Sequence, residues 1–158
     1  MRYTTTMNQE MKRRVTACAA GFSLPRYREL PSVGLYLDQT VQLVNSCFRG
    51  FPGVELTPSM VSNYVKKGVI SIVLSKNVLS LENIDTLFQM QRAHCTAAEA
   101  YDYFCDEVEN CLPYIFGASS TICGLDPDAD DEKRLLRGTI VAAVNKMYLD
   151  CCFVAMRQ

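Results

Sequence analysis

The sequence of 158 residues lacks tryptophan, has one histidine, His94, and contains no Cys-x-x-Cys pair. Structural zinc sites usually combine paired Cys and His ligands at short spacing, so the usual zinc arrangements are excluded. The longest apolar stretches, near residues 140–144 and 151–156, are well short of the roughly 20 residues of a bilayer span. No apolar segment of signal-peptide length follows the basic residues 12–14. We therefore expect no metal, no cofactor, no membrane partner and a cytoplasmic location.

Cysteine is abundant, although its pattern does not indicate a metal site. In a reducing compartment disulfides are not expected, and free cysteine on an apolar helical face behaves as a small hydrophobic residue. The sequence therefore predicts mostly buried thiols without a metal or redox role. The eight cysteines are Cys18, Cys47, Cys95, Cys105, Cys111, Cys123, Cys151 and Cys152.

Charge is balanced overall, with a net charge of −1, but it is unevenly distributed along the chain. Residues 1–76 contain ten Lys or Arg and four Asp or Glu, so that half carries +6. Residues 77–158 contain six basic and thirteen acidic residues, which gives −7. A basic half of this kind favours an anionic partner such as nucleic acid, which the nearly neutral total conceals.

The spacing of apolar residues predicts an all-α fold. Apolar residues at helical spacing predict a first helix over about residues 35–48. Thr57 followed by Pro58 is typical of a helix start, with Thr as the N-cap. This second, short helix is expected to end at Gly68.

Three further helices are predicted in the second half of the chain. One begins near Ser80, one runs from the capping box Thr96-x-x-Glu99 to Pro113, and one covers about residues 130–156. The last helix is apolar most of the way round, so it is either the central helix of the fold or part of a subunit interface.

This pattern divides the chain into three parts. Residues 1–20 are polar and basic, and we expect a flexible N-terminal arm. Residues 21–92 form a helix-turn-helix region, and residues 93–158 form a helical C-terminal region that we expect to make a homodimer.

The second helix has an apolar face and a polar face. Ser59, Ser62, Asn63 and Lys66 follow helical spacing, with Lys67 beside them. Small uncharged and basic side chains of this kind hydrogen-bond base edges and phosphates without repelling DNA. With the preceding helix, the pattern is typical of a helix-turn-helix motif whose second helix enters the major groove. A solvated face on an ordinary surface helix is the alternative.

The segment LTPSMVSNYVKKGVI resembles the V-S-x-x-T-L-R-Y-Y-E-x-x-G-L-L segment of MerR-type regulators. The matching residues are Leu56, Thr57, Val61, Tyr64, Lys66, Gly68, Val69 and Ile70. The arginine-tyrosine pair of that motif is replaced by Ser62-Asn63, so the contacts of that pair are not carried over to this chain.

Five motifs occur in order over most of residues 24–112: LPRYRELP, LYLDQTV, ELTPSMVSNYVKKGVI, LSKNVLSLENI and EAYDYF. Together they resemble a bacterial domain-of-unknown-function family with a MerR-like DNA-binding fold. The resemblance implies a mainly helical, cytoplasmic transcriptional regulator and no enzyme. Residues 68–70 run almost directly into residues 72–76, so the basic wing of that family is reduced here, which predicts weak phosphate contacts.

The leading hypothesis is therefore a regulator that binds double-stranded DNA. Arginine and lysine residues would lie near phosphates, and the polar face of the second helix would meet the bases, with its N-cap threonine at the helix start. The predicted contacts are Arg26, Arg28, Thr57, Ser59, Ser62, Asn63, Lys66 and Lys67.

Two alternatives remain open. The helix-turn-helix region is degenerate and binds a protein, or the chain is a small-molecule sensor. The sensor pocket would be lined by Tyr101, Phe104, Tyr114 and Phe116, although such aromatic residues are more often ordinary core. Nothing in the sequence resembles a Ser-His-Asp set or a phosphate-binding loop, so we expect no enzyme.

Overall fold

A computed structural model describes residues 7–66, 78–79, 96–122, 124 and 127–157. In this part of the chain the fold is mostly helical, as predicted. The helices are α1 (Gln9–Cys18), α2 (Leu37–Cys47), α3 (Pro58–Lys66), α4 (Ala97–Ile115) and α5 (Asp131–Arg157). A 3₁₀ turn covers Tyr27–Glu29, and β1 (Leu35–Tyr36) pairs antiparallel with β2 (Val78–Leu79).

The core lies where α4 and α1 pack against one face of α5. Ile140, Val144 and Cys151 are buried on that inner face, as the sequence predicted. Helical spacing in the sequence also predicts that Ala143 and Val154 face the core, but both are exposed. Each lies about 80–100° around the helix from the middle of the buried face, so the core covers a narrower stripe than the sequence suggested.

The opposite face of α5 is apolar and exposed. Leu135, Leu149 and Phe153 are 56%, 51% and 52% exposed. Residues Lys133–Arg157 are long enough and apolar enough to cross a membrane, judged by length and composition. The inner face of the same helix packs into the core, and the absence of a membrane partner stays a prediction.

For residues 9–18 the structure corrects the prediction of a flexible arm over residues 1–20. Gln9–Cys18 is helical, and the side chain of Asn8 caps it by accepting a hydrogen bond from the amide of Met11 at 2.8 Å. Val15 and Ala19 are buried against α5. The basic residues at 12–14 interrupt the apolar spacing in the sequence, but they lie on the solvent side of one regular amphipathic helix.

Two helix boundaries differ from the predictions. Helix α2 begins at Leu37, two residues later than predicted, because the preceding two residues pair with β2. Helix α4 begins at the predicted Thr96 capping box but continues past Pro113 to Ile115. Proline is tolerated there because its missing N–H removes a single hydrogen bond close to the helix end.

Gly117 ends α4 with a φ of +72°, a conformation that glycine adopts at low cost. The helix predicted near residue 80 lies outside the described residues.

Candidate nucleic-acid interface

Helix α3 is joined to α2 by residues 48–57, a connection longer than the ~3–4 residues of a helix-turn-helix turn. Phe51 anchors the middle of this loop in the core, where it is 4% exposed. Its ring contacts those of Phe22, Phe48 and Phe116, with centroid distances of 5.6, 6.3 and 5.4 Å. The loop is therefore long but held to the core at its centre.

Asn45 of α2 holds the end of the same loop. Its Nδ2 donates to the Leu56 carbonyl oxygen at 2.9 Å, and its Oδ1 accepts from the Leu56 amide at 2.8 Å. One residue later, Thr57 Oγ1 accepts from the Met60 amide at 3.2 Å and caps α3 as predicted. The paired bonds of Asn45 set the direction in which α3 leaves the loop.

The predicted polar face of α3 lies at the surface. Val61 is buried beneath it, whereas Ser59, Asn63 and Lys66 are exposed and Ser62 is half-buried. Pro58–Lys66 contains no acidic residue. The structure therefore brings four predicted contacts together on one uncovered surface; Lys67 lies outside the described residues.

Helical spacing in the sequence also predicts that Met60, Val61 and Tyr64 lie on the buried face of α3. Val61 is buried, but Met60 is exposed and Tyr64 is half-buried. These two residues are therefore less covered than the apolar spacing of α3 suggested.

Arg26 lies on the acidic face of α4. Its guanidinium is 2.8 Å from Asp106 Oδ1 and 2.7 Å from Glu109 Oε2, and it donates to the Asp102 carbonyl oxygen at 3.1 Å. Burial opposes its charge, but Glu109 and Asp106 outweigh burial and raise the pKa of Arg26. Because its donors already face carboxylates, we no longer include Arg26 among the expected phosphate contacts.

The carboxylates of α4 also hold the backbone beside Arg26. The Leu24 amide donates to Glu109 Oε1 at 2.8 Å, and the Tyr27 amide donates to Asp102 Oδ1 at 2.9 Å. Their helical spacing in the sequence predicts a solvated helix face, which is wrong for Asp102 and Glu109. They bind an extended segment 75 or more positions earlier in the chain, which helical spacing does not reveal.

Arg28, two residues from Arg26, is exposed and provides a matched control. We expect Arg26→Ala to lower the free energy of unfolding by about 1–2 kcal/mol, because it leaves partly buried carboxylates without their cation. Arg28→Ala should change it by less than about 0.5 kcal/mol. Urea unfolding of both variants measures the difference, and equal losses would show that the ion pairs do not contribute.

The four aromatic residues of the sensor hypothesis do not form one pocket. Phe116 is buried against Phe51 and Tyr148, with centroid distances of 5.4 and 5.5 Å, whereas Tyr114 is exposed. The concave surfaces of the described residues instead surround residues 49–55. Sequence reasoning missed them, because they are bounded by α1, α2 and α5, which are far apart in the chain.

No group of three His, Cys, Asp or Glu side chains suited to a metal ion occurs within the residues that the structure describes. The free thiols there that are buried are Cys105, Cys111, Cys151 and Cys152, whereas Cys18 and Cys47 are half-buried. The prediction of mostly buried thiols is confirmed for these six residues.

Residues 25–74 match a family described as "Domain of unknown function (DUF1836)". The match covers the segment held by α4 together with α2, the anchored loop and α3. It supports the resemblance to a domain-of-unknown-function family for this part of the chain. No match was found among curated proteins or among solved structures.

Proposed function

We propose that the protein is a transcriptional regulator that binds double-stranded DNA as a homodimer, with α3 as its recognition helix. The observation that carries this proposal is the uncovered polar face of α3, which contains no acid. Asn63 has the side chain best suited to pair with the N6 and N7 edge of adenine, and Ser59 can bond several base edges. Lys66, at the end of α3, is suited to a phosphate.

The support beneath α3 favours specific binding over loose electrostatic contact. The two bonds between Asn45 and Leu56 set the start of the helix, and Phe51 holds the loop to the core. A helix positioned in this way presents its side chains in one orientation, which base readout requires. The connection between α2 and α3 is longer than the turn of a helix-turn-helix motif. The MerR-like arrangement is therefore part of the proposal and not of the observed fold.

The outer face of α5 supports the dimer. Leu135, Ala142 and Leu149 are seven residues apart, and Phe153 follows four residues later, so all four lie on one side of the helix. The 27 residues of α5 give a face about 40 Å long. A second copy is the occupant we propose, because helix-turn-helix proteins read two half-sites through a two-fold axis.

An antiparallel arrangement of the two copies would bring one charged residue of each helix end beside its opposite. Asp131 begins α5 and Arg157 ends it, both are exposed, and each would lie beside the other residue of the second copy. The opposed helix dipoles favour the same arrangement.

The test is the salt dependence of binding to mixed-sequence duplex DNA, measured by fluorescence anisotropy. Binding is expected to weaken steeply between about 50 and 200 mM salt, because counterions released from the phosphates drive the association. Lys66→Ala should reduce the slope of log K against log salt by about one. Lys133→Ala, a lysine on α5 near Tyr103, should leave the slope unchanged.

A second measurement separates base readout from phosphate binding. On a site selected from a random duplex pool, Asn63→Ala should weaken binding by about 5- to 150-fold without changing the salt slope. Absence of binding even at low salt contradicts the proposal. It would favour the protein-interaction alternative, for which the apolar outer face of α5 is the supporting observation.

A further inference from the structure

A cavity of about 370 Å³ lies between α1, residues 49–53 and the C-terminal half of α5. The buried residues Val15 and Phe51 are among those that line it. Arg14 and Arg49 line it as well. The proposed DNA-binding function assigns no role to this cavity.

Two thiols line the same cavity from opposite helices. Cys18 is half-buried in the last turn of α1, and its Sγ donates to the Arg14 carbonyl oxygen at 3.4 Å. Cys151 is buried on the inner face of α5. Cys18 packs against the buried cluster that contains Cys151, and both are free thiols. Two thiols that line one cavity are a different arrangement from the buried cysteines without a redox role that the sequence predicted.

We propose that Cys18 and Cys151 are a redox-active dithiol that hydroperoxides convert to an intramolecular disulfide. The cavity gives a small peroxide access to Cys18. The thiolate is the form of cysteine that reacts with peroxides.

The reaction proceeds in two balanced steps. The Cys18 thiolate attacks one oxygen of hydrogen peroxide, the O–O bond breaks, and hydroxide leaves and takes up a proton to form water. This oxidises Cys18 to a sulfenic acid. The sulfur of Cys151 then attacks Cys18 Sγ, the S–S bond forms, and the S–O bond breaks. The released hydroxide takes the Cys151 proton and leaves as a second water, so two electrons pass from the sulfur pair to the peroxide.

The surroundings of each thiol determine that Cys18 reacts first and Cys151 second. Burial, together with the nearby Cys18, raises the pKa of Cys151 to about 12, so Cys151 remains protonated at neutral pH. Cys18 is the more exposed of the two and meets the oxidant first. Because Cys151 must lose its proton in the second step, closure of the disulfide is expected to become faster as the pH rises.

The disulfide would join two helices beside the loop that leads to α3. A Cβ at Gly50 would come within 3.2 Å of the Cys18 carbonyl oxygen, so the end of α1 contacts this loop closely. A cross-link between residues 18 and 151 encloses most of the chain and constrains the unfolded state. The oxidised protein should therefore unfold at a temperature several degrees higher than the reduced protein.

The experiment treats the reduced full chain with hydrogen peroxide, blocks the remaining thiols with N-ethylmaleimide and identifies linked peptides by mass spectrometry. A Cys18–Cys151 cross-link is expected as the main product. Cys18→Ser should abolish it, whereas Cys47→Ser should leave its rate unchanged, because Cys47 is also half-buried but is not among the residues that line this cavity. In Cys151→Ser, a sulfenic acid trapped by dimedone should accumulate on Cys18.

Three results would overturn the proposal: no cross-link after peroxide treatment, a main cross-link between other cysteines, or cross-linking between two chains through Cys18. Circular dichroism of each serine variant checks that it is folded. If the buried Cys151→Ser variant fails to fold, the partly exposed Cys18→Ser variant still decides the outcome. Because none of these measurements depends on DNA, they are independent of the proposed function.

Discussion

Replacing Phe51 with alanine is expected to lower the free energy of unfolding by about 3–5 kcal/mol. The ring is 4% exposed and packs edge-on against Phe22 and Phe116, with centroid distances of 5.6 and 5.4 Å. Alanine would leave a cavity in the middle of the core that the surrounding rings can only partly fill. Removal of the Phe51 ring would also free the loop that positions α3. DNA binding should therefore weaken even at temperatures where the variant is folded.

Tyr114→Ala is the control for this variant, because it removes an exposed aromatic side chain from α4. It should change the free energy of unfolding by less than about 0.5 kcal/mol. Urea unfolding followed by circular dichroism measures both variants. A loss below about 1 kcal/mol for Phe51→Ala would show that this side chain does not anchor the loop as the structure indicates.

A glutamate in place of Leu149 is expected to convert the proposed dimer into a monomer at micromolar concentration. Leu149 is 51% exposed in one chain and lies at the centre of the apolar stripe on α5. In a two-fold pair the substitution places two carboxylates in one apolar interface, where neither has a partner. Burying an unpaired charge costs several kcal/mol, enough to weaken association by more than about 100-fold.

Ala143→Glu is the matched control, because it adds the same charge to an exposed position of α5 outside the stripe. It should leave the dimer intact. Analytical ultracentrifugation across a concentration series distinguishes the two variants. A wild-type chain that remains monomeric throughout the micromolar range would refute the second-copy assignment for this face.

Loss of the dimer is also expected to weaken DNA binding. Two half-sites bound by one dimer give much tighter binding than one half-site alone, because the second contact is intramolecular. Leu149→Glu should therefore retain weak binding with a reduced salt slope. This links the oligomeric state to the proposed function without a change in α3.

The sequence was most informative where structure depends on neighbours a few residues apart. The capping box at Thr96, the threonine-proline start of α3 and the apolar spacing of α2 and α5 predicted helices that the structure contains. The division of α3 into an apolar and a polar face was likewise visible in the spacing of its residues. Local hydrogen bonds and the helical period determine these features, so they can be derived from the sequence alone.

Tertiary structure decided which of these surfaces are covered and which charges are paired. The sequence predicts that Arg26 contacts phosphate, whereas in the structure Asp106 and Glu109 of α4 lie beside it. The sequence predicts a flexible arm at the basic start of the chain, whereas in the structure Val15 of α1 is buried in the core. Such contacts join residues some 80 or more positions apart, and the helical spacing of residues in the sequence does not reveal them.

The features on which the two proposals rest differ in the same respect: one follows from the sequence and the other from the tertiary structure. The polar face of α3 was determined by the sequence, because side-chain positions on a helix follow from its period. The position of Cys18 and Cys151 on one cavity, and the exposure of one apolar face of α5, depended on how α1, α4 and α5 pack. Packing brings distant residues together according to shape and buried area, and only the folded chain contains that information.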